Sequence, residues 1–79
     1  MNLSDYRKQI DKIDKDILRL FYERMDVIKL VAEFKKENGL PVLDASREND
    51  KLDAIDDLPA QKLFKTLFEL SREYQKDIV

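Results

Sequence analysis

The chain has 79 residues, of which 41% are charged and 43% hydrophobic, with one glycine, two prolines and a formal net charge of -2. Because it contains neither cysteine nor histidine, disulfides, zinc sites with the usual ligands and histidine-based acid–base chemistry are excluded, and we expect no metal site. A slightly acidic chain with no signal peptide and no membrane-length apolar run is expected to be cytoplasmic and to bind neither nucleic acid nor membrane.

The first predicted element is a single long helix from Leu3 to Lys36. Its apolar residues recur in alternating steps of three and four, the spacing that keeps one helix face turned towards a partner. They are Leu3, Tyr6, Ile10, Ile13, Ile17, Leu20, Val27, Val31 and Phe34, and we call this row the apolar seam. Ser4 or Asp5 is a suitable N-cap, and Gly39 followed by Pro41 is expected to end the helix.

Three cations lie on or beside this apolar seam. Arg24 interrupts it, and Arg7 and Lys35 belong to the adjoining row. An unpaired charge on a dry face is costly, so each cation needs a partner, and a bound anion is one candidate. Arg24 and Lys35 lie about 16 Å apart along the axis and about 20° apart around it, so both side chains can reach one small ligand. The alternative is that Arg24 covers apolar surface or sets the register of a coiled coil.

A second, shorter helix is predicted after an extended connector at Leu40–Leu43. Asp44 and the two residues after it open this helix, which is expected to run to about Asp56. Stepping back from its apolar positions places Glu48 at the head of the inward row. A carboxylate therefore begins the face that should pack against the first helix.

A third helix is predicted to begin near Pro59, a residue suited to the first helical turn. Its apolar face includes Phe64 and Phe68, and Ser71 and Gln75 fall on the same row. All three helices therefore carry polar groups on an otherwise apolar face.

The fold class predicted is all-α, with one long and two shorter helices in a single domain, residues 1–79. Two short helices would leave much of the long helix uncovered, and a second copy of the chain would cover it. We therefore predict an intertwined homodimer in which the two long helices pair antiparallel. Arg7 lies about 25 Å along the helix from Arg24, so it can reach the same ligand only from the second copy.

The polar residues on these inward faces form the candidate site. They are Arg7, Arg24, Lys35, Asp44, Arg47, Glu48, Ser71 and Gln75. Several arginines favour a small ligand with more than one carboxylate, whereas the lack of a glycine-rich loop argues against phosphate. Ordinary structural roles remain open: Asp44 as an N-cap, Lys35 and Glu48 as responses to helix dipoles, and Ser71 as a hydrogen-bond donor to the preceding turn.

Five ordered segments lie along nearly the whole chain. They are Tyr6-Arg7-Lys8-Gln9-Ile10-Asp11 with Ile13-Asp14, Glu23-Arg24-Met25, Lys35, Val42-Leu43-Asp44-Ala45-Ser46-Arg47-Glu48 and Leu67-Phe68-Glu69-Leu70-Ser71-Arg72-Glu73-Tyr74-Gln75. In this order and spacing they resemble the all-helical chorismate mutase family. The chain departs from the family pattern at Ala45, where proline is common, and in the short connection between its second and third helices.

The resemblance implies an enzyme that converts chorismate, a small dicarboxylate, to prephenate by an intramolecular Claisen rearrangement on the route to aromatic amino acids. Such a step needs no nucleophile, metal or cofactor. By family likeness, the catalytic residues are Lys35 and Gln75, which donate to the ether oxygen, together with Arg24. Arg24 and the partner's Arg7 bind the two carboxylates with help from Ser71, while Asp44, Glu48 and Arg47 serve the end of the substrate that carries the ring hydroxyl.

Two alternatives remain at this point. One is an isochorismate-pyruvate lyase, which resembles the same family and shares its arginines and lysine. The acidic residues Asp44 and Glu48 favour the mutase, because they suit the hydroxyl position of chorismate. The other is a non-catalytic helical dimerisation module, in which Arg24 would have only a structural role.

Overall fold

Three helices make up the fold in a computed structural model that describes all 79 residues, Met1–Val79. They are α1 (Leu3–Asn38), α2 (Ala45–Asp53) and α3 (Leu58–Ile78). The all-α class and the order of one long and two shorter helices, predicted from the sequence, are confirmed. At about 1.5 Å per residue α1 is roughly 54 Å long, so it alone accounts for the longest dimension of a molecule measuring 55 × 25 × 15 Å.

The N-terminus of α1 is capped by Asn2, so the prediction of Ser4 or Asp5 as N-cap was wrong. The Asn2 side chain accepts a hydrogen bond from the Asp5 backbone at 3.0 Å, and the Asp5 carboxylate accepts one from the Asn2 backbone at 3.2 Å. The helix begins at Leu3, so Ser4 and Asp5 both lie inside its first turn, and Asp5 completes the reciprocal pair of a capping box. At the other end the helix runs to Asn38, two residues beyond the predicted Lys36, and Gly39 adopts the predicted left-handed conformation with φ 62°.

The second helix is shorter than predicted and ends at Asp53 instead of about Asp56. The Gln61 side chain on α3 donates to the backbone carbonyls of Leu52 at 3.3 Å and Ile55 at 2.7 Å. It thereby supplies donors to carbonyls at the end of the helix, where the last carbonyls have no partner within the helix. Part of the hydrogen bonding at this end of α2 therefore comes from another helix.

The N-termini of α2 and α3 follow local sequence rules. Asp44 caps α2 as predicted, its side chain accepting from the Arg47 backbone at 3.1 Å. Asp57 caps α3 in the same way through the Ala60 backbone at 3.0 Å, with Pro59 in the first turn. The first residues of α2 and α3 are therefore fixed by side chains next to them in the sequence.

The α3 helix packs against the C-terminal half of α1, and α2 packs against α3. The buried apolar residues are Ala32 and Phe68, and the buried polar residues are Ser71 and Gln75. The N-terminal half of the apolar seam lies open, with exposed fractions between 51% and 61% from Leu3 to Leu20. None of the helices combines the length and the apolar character that a bilayer span requires.

Candidate active site

A cavity of about 360 Å³ lies between the C-terminal half of α1, the start of α2 and the inner face of α3. This is a size typical of small-molecule sites. Seven of the eight predicted site residues line it: Arg24, Lys35, Asp44, Arg47, Glu48, Ser71 and Gln75. Its apolar wall consists of Val27, Ile28, Val31, Val42 and Phe68.

Lys35 and Gln75 form one end of the cavity. The Lys35 ammonium donates to the backbone carbonyl of Val42 and to Gln75 Oε1, both at 2.8 Å. An ammonium has three donors, so one N–H of Lys35 remains for a ligand. Because Gln75 Oε1 accepts from Lys35, its amide nitrogen is the group left to donate, and Gln75 is only 4% exposed. Two adjacent donors, one charged and one neutral, are thus available together.

Arg24 forms the second part of the site. Its Nη1 donates to Ser71 Oγ, and its guanidinium carbon lies 5.9 Å from the centre of the Phe68 ring. The Ser71 hydroxyl in turn donates to the Leu67 carbonyl at 2.7 Å, so it serves the preceding turn and Arg24 at once. Burial lowers the pKa of the Arg24 guanidinium below its ordinary value, and the like charge of Arg47 lowers that pKa further.

Acidic groups lie at the α2 side of the cavity. Asp44 lines the cavity and also caps the helix, so its N-cap role is observed while its contact with a ligand stays a prediction. Glu48 forms an ion pair with Arg72 of α3, and both side chains are about three-quarters buried. Arg47 lies beside them and is exposed. This region therefore offers carboxylate acceptors next to a surplus of positive charge.

The charge of the cavity is opposite to that of the chain. Its cations are Arg24, Lys35, Arg47, Lys51 and Arg72, and its anions are Asp44 and Glu48. The whole chain has a formal net charge of -2. A cationic cleft with partly apolar walls concentrates the electrostatic field, so it favours a small anion.

Arg7 is the predicted site residue that the structure places elsewhere. It is exposed near the start of α1 and does not line the cavity. Arg7 and Arg24 lie on the same helix, and their spacing in the sequence places them about 25 Å apart along its axis. The location of Arg7 outside the cavity agrees with this separation. Its contribution from a second copy of the chain stays a prediction.

Two polar cavity residues, Arg72 and Lys51, were missed by the sequence analysis. Arg72 stands four residues after Phe68 and three before Gln75, so helical spacing places all three on one face. Lys51 stands three residues after Glu48 in α2 and shares its face in the same way. The helical spacing therefore indicated both residues, but a charged residue beside an apolar row is equally consistent with a solvent-exposed side chain.

Comparisons with known proteins agree on one family. The model of the chorismate mutase type II family matches residues 6–76. A protein of Methanocaldococcus jannaschii named chorismate mutase is 37% identical, and the match covers 94% of this chain and 84% of that protein. The family resemblance predicted from the sequence is confirmed.

Larger relatives contain a matching segment as a small part of their length. A bifunctional chorismate mutase/prephenate dehydratase of Aquifex aeolicus is 40% identical over 67% of this chain, which is 15% of that protein. The T-protein of Haemophilus influenzae is 35% identical over 66% of this chain, or 14% of its own length. From the family match along most of its residues and the site built by its three helices, the chain belongs to the chorismate mutase type II family.

Proposed function

We propose that the chain catalyses the rearrangement of chorismate to prephenate in the cavity between its three helices. The observation that carries this proposal is the convergence of Arg24, Lys35, Glu48 and Gln75 on one cavity, in a chain of this family. Cationic, amide and carboxylate groups there match the carboxylates, ether oxygen and hydroxyl of chorismate. The chemistry also suits a chain without histidine or cysteine.

The two substrate carboxylates are the groups that the arginines bind. Arg24 is held in place by Ser71 and Phe68, and its remaining N–H groups can bind one carboxylate. Arg7 of a second copy binds the other. Each carboxylate then has a guanidinium partner, and the bound dianion relieves the repulsion that Arg47 imposes on Arg24.

The reaction breaks the ether C–O bond while a new C–C bond forms, with no proton or group passing to the protein. Catalysis then consists of holding the compact reactive conformer and stabilising negative charge on the ether oxygen. Lys35 and Gln75 each have a free donor at the same end of the cavity, so both are assigned to this oxygen. Their mutual hydrogen bond fixes the two donors before the substrate arrives.

The ring hydroxyl is assigned to the α2 side of the cavity. A hydroxyl donates a hydrogen bond, and the carboxylates of Asp44 and Glu48 accept. The neighbouring Arg47 balances their charge when the substrate is bound. The same two carboxylates favour the mutase over the lyase alternative.

An intertwined antiparallel homodimer completes the proposed enzyme. Only two apolar residues of the chain, Ala32 and Phe68, are buried, and no large side chain is fully buried. A core this small does not stabilise a domain of this length. Pairing the exposed apolar seams of two copies buries them, and it carries Arg7 of each copy towards the cavity of the other.

Incubation of the purified protein with chorismate tests the function directly. We expect chorismate to disappear and prephenate to form, followed by absorbance and mass spectrometry. A parallel incubation with isochorismate should give no salicylate and pyruvate. Lyase products without prephenate would instead support the lyase alternative. If neither compound is turned over, the result would support the non-catalytic dimerisation module.

A further inference from the structure

The ion pair between Glu48 and Arg72 joins two helices across the rim of the cavity. The other two ion pairs of the chain, Arg19 with Asp16 and Arg19 with Glu23, both lie within α1 on exposed side chains. The Glu48 and Arg72 side chains are only 23% and 26% exposed, so this pair is partly removed from solvent. A partly buried guanidinium–carboxylate contact holds its carboxylate more firmly than a surface pair does.

The contact uses only part of the Glu48 carboxylate. Arg72 Nη1 donates to Oε1, whereas the other oxygen accepts from no protein donor. A carboxylate with two oxygens can accept several hydrogen bonds, so Glu48 still has an acceptor for a substrate hydroxyl. Arg72 therefore fixes the direction of Glu48 without occupying it.

Without Arg72, the nearest cations on the helix of Glu48 itself are Arg47 and Lys51. Both line the cavity and both are exposed. Lys51 stands three residues after Glu48, a spacing at which opposite charges on a helix attract each other. Such a contact would draw the carboxylate along α2 and away from the inner face of α3. Arg72 opposes that movement because it extends from α3.

We propose that Arg72 is a positioning residue that aims Glu48 at the ring hydroxyl of the substrate. This inference rests on the proposed function and extends it to a residue to which neither the family resemblance nor the predicted site gave a role. Arg72 is neutralised by Glu48 and so does not compete with Arg24 for the substrate carboxylates. Its effect on turnover passes through the hydroxyl contact alone.

The test compares chorismate with an analogue in which hydrogen replaces the ring hydroxyl. For Arg72→Met we expect kcat/KM for chorismate to fall about tenfold or more, the usual effect of losing a hydrogen bond to a charged group. For the analogue, which has no hydroxyl to bind, kcat/KM should change less than about twofold. Arg72→Lys should recover part of the preference for chorismate, because it restores the charge.

A double-variant comparison checks that Arg72 acts through Glu48. Arg72→Met combined with Glu48→Gln should be no slower on chorismate than Glu48→Gln alone. Circular dichroism melting of each variant identifies loss of folding, and Arg72→Lys provides a second variant if Arg72→Met fails to fold. Equal losses on both substrates, or additive losses in the double variant, would overturn the positioning role while wild-type turnover upheld the mutase. Wild-type inactivity would instead overturn the proposed function itself.

Discussion

Arg24 is held in a position that is electrostatically unfavourable for the folded chain. Burial and the like charge of Arg47 both lower its pKa. A base whose pKa is lower in the folded than in the unfolded state destabilises the folded state while it is protonated, and an arginine is protonated at neutral pH. Arg24 therefore opposes folding, and a bound carboxylate would offset that effect.

Replacing Arg24 by methionine should separate stability from activity. Because Arg24→Met removes a desolvated charge and leaves an apolar side chain against Phe68, thermal melting should occur at an equal or higher temperature. The Ser71 hydroxyl keeps its hydrogen bond to the Leu67 carbonyl, so the substitution leaves no buried hydroxyl without a hydrogen-bond partner. Turnover of chorismate should fall by about 10² or more, since a substrate carboxylate loses its partner.

Arg19→Met is the matched control for this substitution. Arg19 lies on the exposed face of α1, where it pairs with Glu23 at 3.1 Å, and exposed pairs contribute little to stability. Its replacement should alter neither the melting temperature nor turnover appreciably. A lower melting temperature with retained activity in the Arg24 variant would mean that Arg24 is structural.

Lys35 should affect the rate of the chemical step more than substrate binding. In Lys35→Ala the ether oxygen loses a charged donor, and Gln75 loses the contact that orients its amide. We expect kcat to fall by about 10² to 10³, the usual effect of removing one donor to developing negative charge, with a smaller change in KM. Lys36→Ala, at the exposed neighbouring position, is the control, and equal kcat values for the two variants would exclude Lys35 from the site.

The residues of the cavity were predictable where a polar group broke an apolar row. Arg24, Ser71 and Gln75 were found because each lies on a row of large apolar residues, and helical spacing alone then places them inward. Arg72 and Lys51 were not found, since each lies beside such a row, where a solvated side chain is equally consistent with the sequence. Only the packing of α2 against α3 distinguishes the two cases.

At the scale of the elements, local chemistry predicted some helix ends and failed at others. The left-handed Gly39 and the Asp44 cap need only neighbouring residues, and both were predictable. The end of α2 was misplaced by about three residues, at a point where the Gln61 side chain of α3 donates to the carbonyls of Leu52 and Ile55. That contact exists only after the helices pack.

Substitutions of Asp44 separate the stability of α2 from the proposed contact between Asp44 and the substrate. Asn and Asp cap helices about equally well, whereas Ala does not cap, so Asp44→Asn should keep α2 intact and Asp44→Ala should destabilise the protein by about 1 kcal/mol. Both variants lose the carboxylate beside the ring hydroxyl and should raise KM for chorismate. Thermal melting and steady-state kinetics measure the two effects. An Asn variant with unchanged kinetics would show that Asp44 only caps.

At the scale of the whole molecule, α1 extends well beyond the helices that pack against it. From Leu3 to Leu20 its apolar seam is at least half exposed, and isolated helical segments of this length are marginal in water. The cavity and the uncovered segment lie on the same helix. A second copy that covered this segment, as proposed, would therefore also lie near the cavity.

Mixing two inactive variants tests whether Arg7 acts across subunits. Arg7→Ala removes the donated arginine but leaves its own cavity intact, and Arg24→Met does the reverse. A mixed dimer then has one complete site, with Arg24 from the first chain and Arg7 from the second. After random subunit exchange, half of the dimers are mixed, so about a quarter of wild-type activity should return.

Mixing Arg7→Ala with the double variant Arg7→Ala/Arg24→Met is the control, because no complete site can form in it. The long helix makes the outcome decisive: Arg7 and Arg24 of one chain are about 25 Å apart along α1, beyond the reach of two side chains to one small molecule. If native mass spectrometry finds mixed dimers and activity does not return, Arg7 does not serve the site of its partner. Recovery requires the antiparallel pairing, since that arrangement brings the start of one α1 to the middle of the other.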